Sequence, residues 1–183
     1  WPLVTQVASF GKPTMVSTGM ANEKLLNELT ARWIQSSPNG VHALTLMHCV
    51  SAYPVPTSDV NLRAITTLRE RHPEVRVGYS DHTLGINAAV WAVVLGANVI
   101  EKHFTLSHDA SDFRDHALSA TPDEFRQMVH LIRTYEEMAG LGDLEIAPSE
   151  EPNLYAARRG AVASRELRPD MPLGENYVEY LRP

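Results

Sequence analysis

The 183-residue chain has a net charge of −6, 44% apolar and 21% charged residues, and one cysteine. These are the proportions of an ordinary globular protein, and the charge leaves no basic footprint for nucleic acid. The lone Cys49 excludes an internal disulfide framework and fits a reducing, cytoplasmic compartment, and no apolar run approaches the ~20 residues that cross a bilayer.

The chain opens on Trp1 rather than methionine and without a signal-peptide pattern, as a piece of something longer would. From there a strand–helix rhythm runs through residues 12–140. The segment "PTMVST" (13–18) reads as a strand. A helix over 22–36 follows, with Leu25, Leu26, Leu29, Trp33 and Ile34 on one face. A second strand, "ALTLMHC" (43–49), leads to a helix over 59–71 carrying Val60, Ala64, Ile65 and Leu68. The third, "VRVGYS" (75–80), precedes "INAAVWAVVL" (86–95), a helix apolar nearly all round. Such a helix is expected to be covered on more than one side, by another helix layer or a second subunit. The fourth strand, "NVIEKHF" (98–104), precedes a longer loop and a helix over 122–138. That helix starts at a capping box, Thr121 to Glu124, with Pro122 at the first helical position. Strands alternating with helices predict βαβ units and a parallel sheet. After Gly140 the composition becomes linker-like (141–154), and residues 155–183 read as the start of a second, small module.

All four strands end in polar groups: Ser17-Thr18-Gly19, His48-Cys49-Val50-Ser51, Tyr79-Ser80-Asp81-His82 and Glu101-Lys102-His103. Parallel α/β folds bind ligands at the carboxyl ends of their strands, so one rim collects these side chains. Some members have plain structural readings. Ser17 and Thr18 can cap the next helix, His48 suits a hydrogen-bonded core position, Cys49 a small buried apolar one, and Lys102 a solvated or salt-bridged one. His82 and His103 end consecutive strands, each beside a carboxylate (Asp81, Glu101), and strands lie ~4.8 Å apart. The two imidazoles could hold one divalent ion with carboxylates behind them, act as a general acid and base, or be structural. Two nitrogens would leave an ion open to substrate and water, and serines near helix N-termini suit anionic oxygens.

The motifs "STGM" (17–20), "HCVSAYPVP" (48–56), "DVNLRAI" (59–65), "GYSDHTLG" (78–85), "VLGANVIEKHFTL" (94–106) and "DHALSATPDEF" (115–125) resemble, in order and spacing, those of the sialic acid synthase family. The resemblance covers nearly the whole chain. It implies an α/β fold: the second half of a (β/α)₈ TIM barrel (1–140), a linker (141–154) and the beginning of a small β-rich SAF domain (155–183). It further implies condensation of phosphoenolpyruvate with an N-acetylmannosamine-like amino sugar, giving a nonulosonic acid and phosphate. On this resemblance His82 and His103 hold a divalent metal, Mn²⁺ or Mg²⁺. Ser17 and Ser80 contact phosphoenolpyruvate, and Ser51, Tyr53 and Asp115 line the sugar pocket. Arg182, in the terminal "LRP", matches an arginine that reaches the partner's sugar site in a domain-exchanged homodimer.

The chain also departs from the family pattern. The family's first four strands, with its phosphoenolpyruvate-binding lysines and a glutamate, have no counterpart here, so this chain alone is expected to be inactive. Val50 replaces a frequent hydroxyl residue, and the loop 107–115 differs from the family's approach to His116. Other readings are a different phosphoenolpyruvate-dependent aldolase-type synthase, or a non-catalytic sugar-binding protein of polysaccharide biosynthesis.

Overall fold

The computed structural model describes residues 1–109, 111, 115–172 and 174–182. The chain divides into two compact units, Trp1–Ala139 and Gly140–Pro183. Residues 110 and 112–114 of the 107–115 loop lie outside the described residues, as does Pro183 of the terminal motif.

The first unit holds four parallel strands, β1 (Thr14–Ser17), β2 (Leu44–His48), β3 (Arg76–Asp81) and β4 (Val99–Lys102), hydrogen-bonded in sequence order. Six helices accompany them: α1 (Pro2–Ser9), α2 (Glu23–Ser36), α3 (Arg63–Arg71), α4 (Asn87–Val94), the short α5 (Asp115–Leu118) and α6 (Pro122–Ala139). The four expected strands and the alternation are therefore present. Helix α1 has no counterpart in the sequence reading, and α3 begins four residues later than expected, after a 3₁₀ turn at Thr57–Asp59.

Register explains how one sheet serves both a core and a polar face. Ser17 is level with Met47, Met47 with Gly78, and Gly78 with Val99. Side chains alternate along a strand, so Leu44 and Leu46 of β2 and Val77 and Tyr79 of β3 point to the helix side. There they join Leu29, Trp33, Ile65, Leu68, Ala88 and Ala92 in the main core. Thr45, Met47, Gly78, Ser80 and Glu101 lie on the opposite face. At the edge strand β1 that face is open, and Met15 is 58% exposed while Thr45, its partner on β2, is buried.

Local chemistry sets the helix limits. Asn22 caps α2, its side chain accepting from the Leu25 amide at 3.0 Å. Thr18 instead donates to the Met47 carbonyl at 2.9 Å, so the capping role weighed for Ser17 and Thr18 belongs to Asn22. The Thr121 box forms as expected: the Thr121 amide donates to Glu124 Oε2 at 2.8 Å and the Glu124 amide to Thr121 Oγ1 at 3.4 Å. Helix α4 packs on β3, β4 and α6 through Ala88, Ala89 and Ala92, so α6 supplies the expected helix layer, while Trp91 remains 54% exposed. An isolated parallel bridge, Phe104 with Ala120, continues the sheet beyond β4.

In the second unit, α7 (Glu151–Ala157) occupies the end of the expected linker. Strands β5 (Gly160–Ala163) and β6 (Val178–Leu181) then pair antiparallel. Among the described residues no helix is long and apolar enough to cross a membrane.

Gly78 is the tightest point of the sheet: a Cβ there would press on the Met47 thioether and lie 2.9 Å from the Val99 carbonyl oxygen. Gly78→Ala is expected to cost about 1–3 kcal/mol through overpacking against backbone that cannot retreat. A lowered urea midpoint would report it, and an unchanged midpoint would contradict the packing.

Candidate active site

Two residues beyond the Ser17–Met47–Gly78–Val99 level, the strand ends bring Gly19, Cys49, Ser80 and Glu101 together. Ser80 is paired in register with Glu101 and donates to Glu101 Oε1 at 2.6 Å. A Cβ on Gly19 would come within 3.1 Å of Cys49 Sγ and closer still to Ser51 Oγ. Only the missing side chain lets this turn approach the β2 end.

Another two residues on, His82 and His103 meet with ring centroids 5.4 Å apart and planes at 88°. Tyr53, itself 43% exposed, stacks on His82 at 4.2 Å and stands edge-on to His103 at 5.8 Å. His82 Nδ1 lies 2.9 Å from the Val50 carbonyl, which can only accept, so Nδ1 carries the hydrogen. The neutral ring then presents a bare Nε2 lone pair. Ser80 Oγ lies 3.4 Å from it, with its hydrogen directed to Glu101. That lone pair is free for a ligand. Val50, noted for its apolar side chain, thus contributes through its backbone.

The flanking carboxylates do not play equal parts. Glu101 shares the face of Ser80 and His103. Asp81 points to the helix side, where its Oδ2 lies 3.1 Å from Lys102 Nζ with both side chains 0% exposed. Asp81 Oδ1 accepts from the Thr83 amide at 2.8 Å and the Tyr79 hydroxyl at 3.2 Å, and Lys102 Nζ donates to the Thr83 carbonyl at 2.6 Å. The sequence reading of Asp81 as a carboxylate behind His82 is therefore corrected, because adjacent strand residues face opposite ways. Burial, then the nearby Asp81 charge, pushes the Tyr79 hydroxyl pKa far up, so Tyr79 stays a donor.

The remaining candidates disperse. Ser51 belongs to the rim beside Gly19. Ser17 is exposed on β1, level with Gly78, and so about 13 Å of strand rise below His82. Asp115 starts α5, where its carbonyl caps Ser119, and Arg182 is an exposed residue following β6 in the second unit. His48 is a core residue, donating from Nε2 to the Val60 carbonyl at 2.9 Å and stacked at 5.8 Å on Tyr79. Glu101 was not singled out as a site residue, although its two-residue spacing from His103 was the available signal.

Among the described residues no three His, Cys, Asp or Glu side chains converge as a metal cage. The donors that fit an ion are the bare Nε2 of His82 and the facing His103 ring, with oxygen donors left to come from elsewhere.

A curled parallel α/β sheet with a polar rim at its strand ends defines the half-barrel class of fold, in which sites form at that rim. The chain belongs to the NeuB family, whose model matches residues 1–143. It is 45% identical over 183 residues to an uncharacterized protein of Methanocaldococcus jannaschii, covering 100% of this chain and 53% of that protein. It is 36% identical over 184 residues to N,N'-diacetyllegionaminic acid synthase of Campylobacter jejuni, covering 100% and 54%. The N-acetylneuraminic acid (sialic acid) synthetase of Leptospira borgpetersenii, solved with citrate, superposes with a TM-score of 0.74 at 33% identity, over 83% of this chain and 51% of that one. The chain thus spans about half the length of the relatives it matches. Its curled sheet is a half-barrel like the corresponding part of those structures, and its relatives include sialic, legionaminic and pseudaminic acid synthases.

Burial holds the His48 pKa below its ordinary 6.5, against the opposing pull of the Val60 and Asn61 backbone. As pH falls below about 6.5, the unfolded chain takes up the proton first. The stability contributed by neutral His48 is therefore full above that pH and is lost as pH falls through the folded-state value. His48→Gln retains a donor for Val60 and is expected to flatten this decline, read from urea midpoints at about pH 7.5 and about pH 5.5. Equal declines in the two proteins would refute the assignment.

Proposed function

We propose that the chain contributes the aldehyde-side half of the active site of a nonulosonic acid synthase. In this reading the enzyme joins phosphoenolpyruvate to an N-acetylmannosamine-like amino sugar and releases phosphate. The observation that carries it is the His82–His103 pair, with His82 fixed by the Val50 carbonyl and its Nε2 unengaged, on the rim of a NeuB-family half-barrel. His82 and His103 would hold a divalent cation, Mn²⁺ or Mg²⁺. When bound, such an ion supplies Lewis acidity toward a carbonyl oxygen.

The other residues act around that pair. The Tyr53 ring walls one side of His82 and limits water there. Glu101 takes the hydroxyl hydrogen of Ser80, so Ser80 reaches an anionic oxygen only by rotating away from Glu101. Ser51 supplies a rim hydroxyl at the β2 end and Asp115 a carboxylate at the start of α5. Ser17 would serve phosphoenolpyruvate from lower on the sheet. In the full-length enzyme the chain would be the second half of an eight-stranded barrel leading into an SAF domain. Arg182 would there complete the sugar site of a partner subunit in a domain-exchanged, cytoplasmic dimer. The 183-residue chain alone is expected to be inactive.

The test is phosphate release by the full-length protein from phosphoenolpyruvate with a panel of 2-acetamido and 2,4-diacetamido sugars. One or more of these sugars is expected to support metal-dependent turnover. Loss of an outer-shell partner costs a metal site about 10–100-fold, so losing a ligand in His82→Ala or His103→Ala should cost about 100-fold or more. Undiminished metal-dependent turnover in both variants would sink the ligand assignment. Sugar binding without phosphate release would favour a non-catalytic role.

A further inference from the structure

The ladder between β3 and β4 ends at Asp81 and Lys102, which are level with one another. The next residue on each strand is His82 or His103, so no β3–β4 backbone pairing sets their separation. The ion pair itself continues the connection. Asp81 Oδ1 holds the Thr83 amide at 2.8 Å and Lys102 Nζ holds the Thr83 carbonyl at 2.6 Å, while Asp81 and Lys102 face each other at 3.1 Å. Both backbone polar groups of the residue after His82 are thereby tied to the last ladder pair. The carbonyl of His82 is fixed separately, accepting from the Val55 amide at 3.0 Å.

We infer that Asp81 and Lys102 form a positioning pair, which sets the angle and separation of His82 and His103 from the opposite face of the sheet. Stability is a weak reason to place such a pair here. Both side chains are fully buried, and desolvation offsets most of the Coulombic attraction in such a site, so apolar or neutral groups of similar volume often serve a fold as well. Directionality is the better reason. A carboxylate and an ammonium offer several acceptor and donor sites, and here they clamp two backbone groups of one residue that neighbouring apolar side chains could not hold. Neither residue touches the rim face, so the pair acts only through the imidazoles.

The metal arm of this inference rests on the proposed function; the positioning arm does not, and the experiment separates them. The double variant Asp81→Asn/Lys102→Met removes both charges at similar volume and leaves no lone buried ion. Cooperative urea unfolding checks that it folds, and the single variant Asp81→Asn, which keeps an acceptor for the Thr83 amide, is measured beside it. Two readouts are taken on full-length protein: Mn²⁺ affinity by electron paramagnetic resonance, and ¹⁵N imidazole shifts above about pH 8, where free imidazole is neutral. The parent is expected to show His82 as the Nδ1–H tautomer. The folded variants are expected to show mixed tautomers and Mn²⁺ binding weakened by about 10–100-fold. Parent-like tautomer and parent-like affinity in a folded variant would overturn the positioning role, leaving the metal site intact. A parent that binds no Mn²⁺, with variants that still lose the tautomer, would support positioning and reject the metal reading.

Discussion

The site depends first on strand alternation held in parallel register. β3 carries Val77, Tyr79 and Asp81 toward the helices and Gly78, Ser80 and His82 toward the other face. A slip of one residue between β3 and β4 would exchange these sets. Val77 and Tyr79 would leave the core, and Ser80 would lose Glu101. Core packing therefore enforces the rim. Burying Leu44, Leu46, Val77 and Tyr79 against Ile65 and Leu68 fixes which residues remain for chemistry.

Small residues make the rim approachable. Gly78 allows the Met47 side chain to cross the inner face, and Gly19 allows the first turn to come down against Ser51 and Cys49. Neither glycine has a positive φ among those of the chain, so close approach rather than turn geometry is what requires them. Above them the larger rings take over: Tyr53, His82 and His103 form a cluster of edge and face contacts in which each ring limits the rotation of the others.

Much of this was legible in the sequence because it is periodic or local. The four short strands, the capping box at Thr121 and the core placement of His48 follow from spacing and composition over a few residues. The polar strand endings were legible for the same reason. Partners distant in sequence were not. Asn22 lies five residues past β1 and takes the cap that Ser17 and Thr18 could have supplied; Thr18 is instead drawn to the Met47 carbonyl, 29 residues away. Asp81 looked like a companion to His82 because the two are adjacent, when adjacency on a strand means opposite faces. The fold class and family were recoverable from long motifs, whereas α1 and α7 carry no such motif.

The least legible feature was the role of Lys102. A lysine between a glutamate and a histidine at a strand end reads equally as solvated or salt-bridged, and only its full burial decides for the pair, since lysine is almost never fully buried unless paired. Its partner is identified only once the β3–β4 register sets it level with Asp81. The two charges then neutralise each other within the core, and what remains of their interaction is direction: where Thr83 points, and with it the ring of His82. Charge on one face of this sheet end sets geometry, so that on the other His82, held at Nδ1 by the Val50 carbonyl, turns its Nε2 toward the rim.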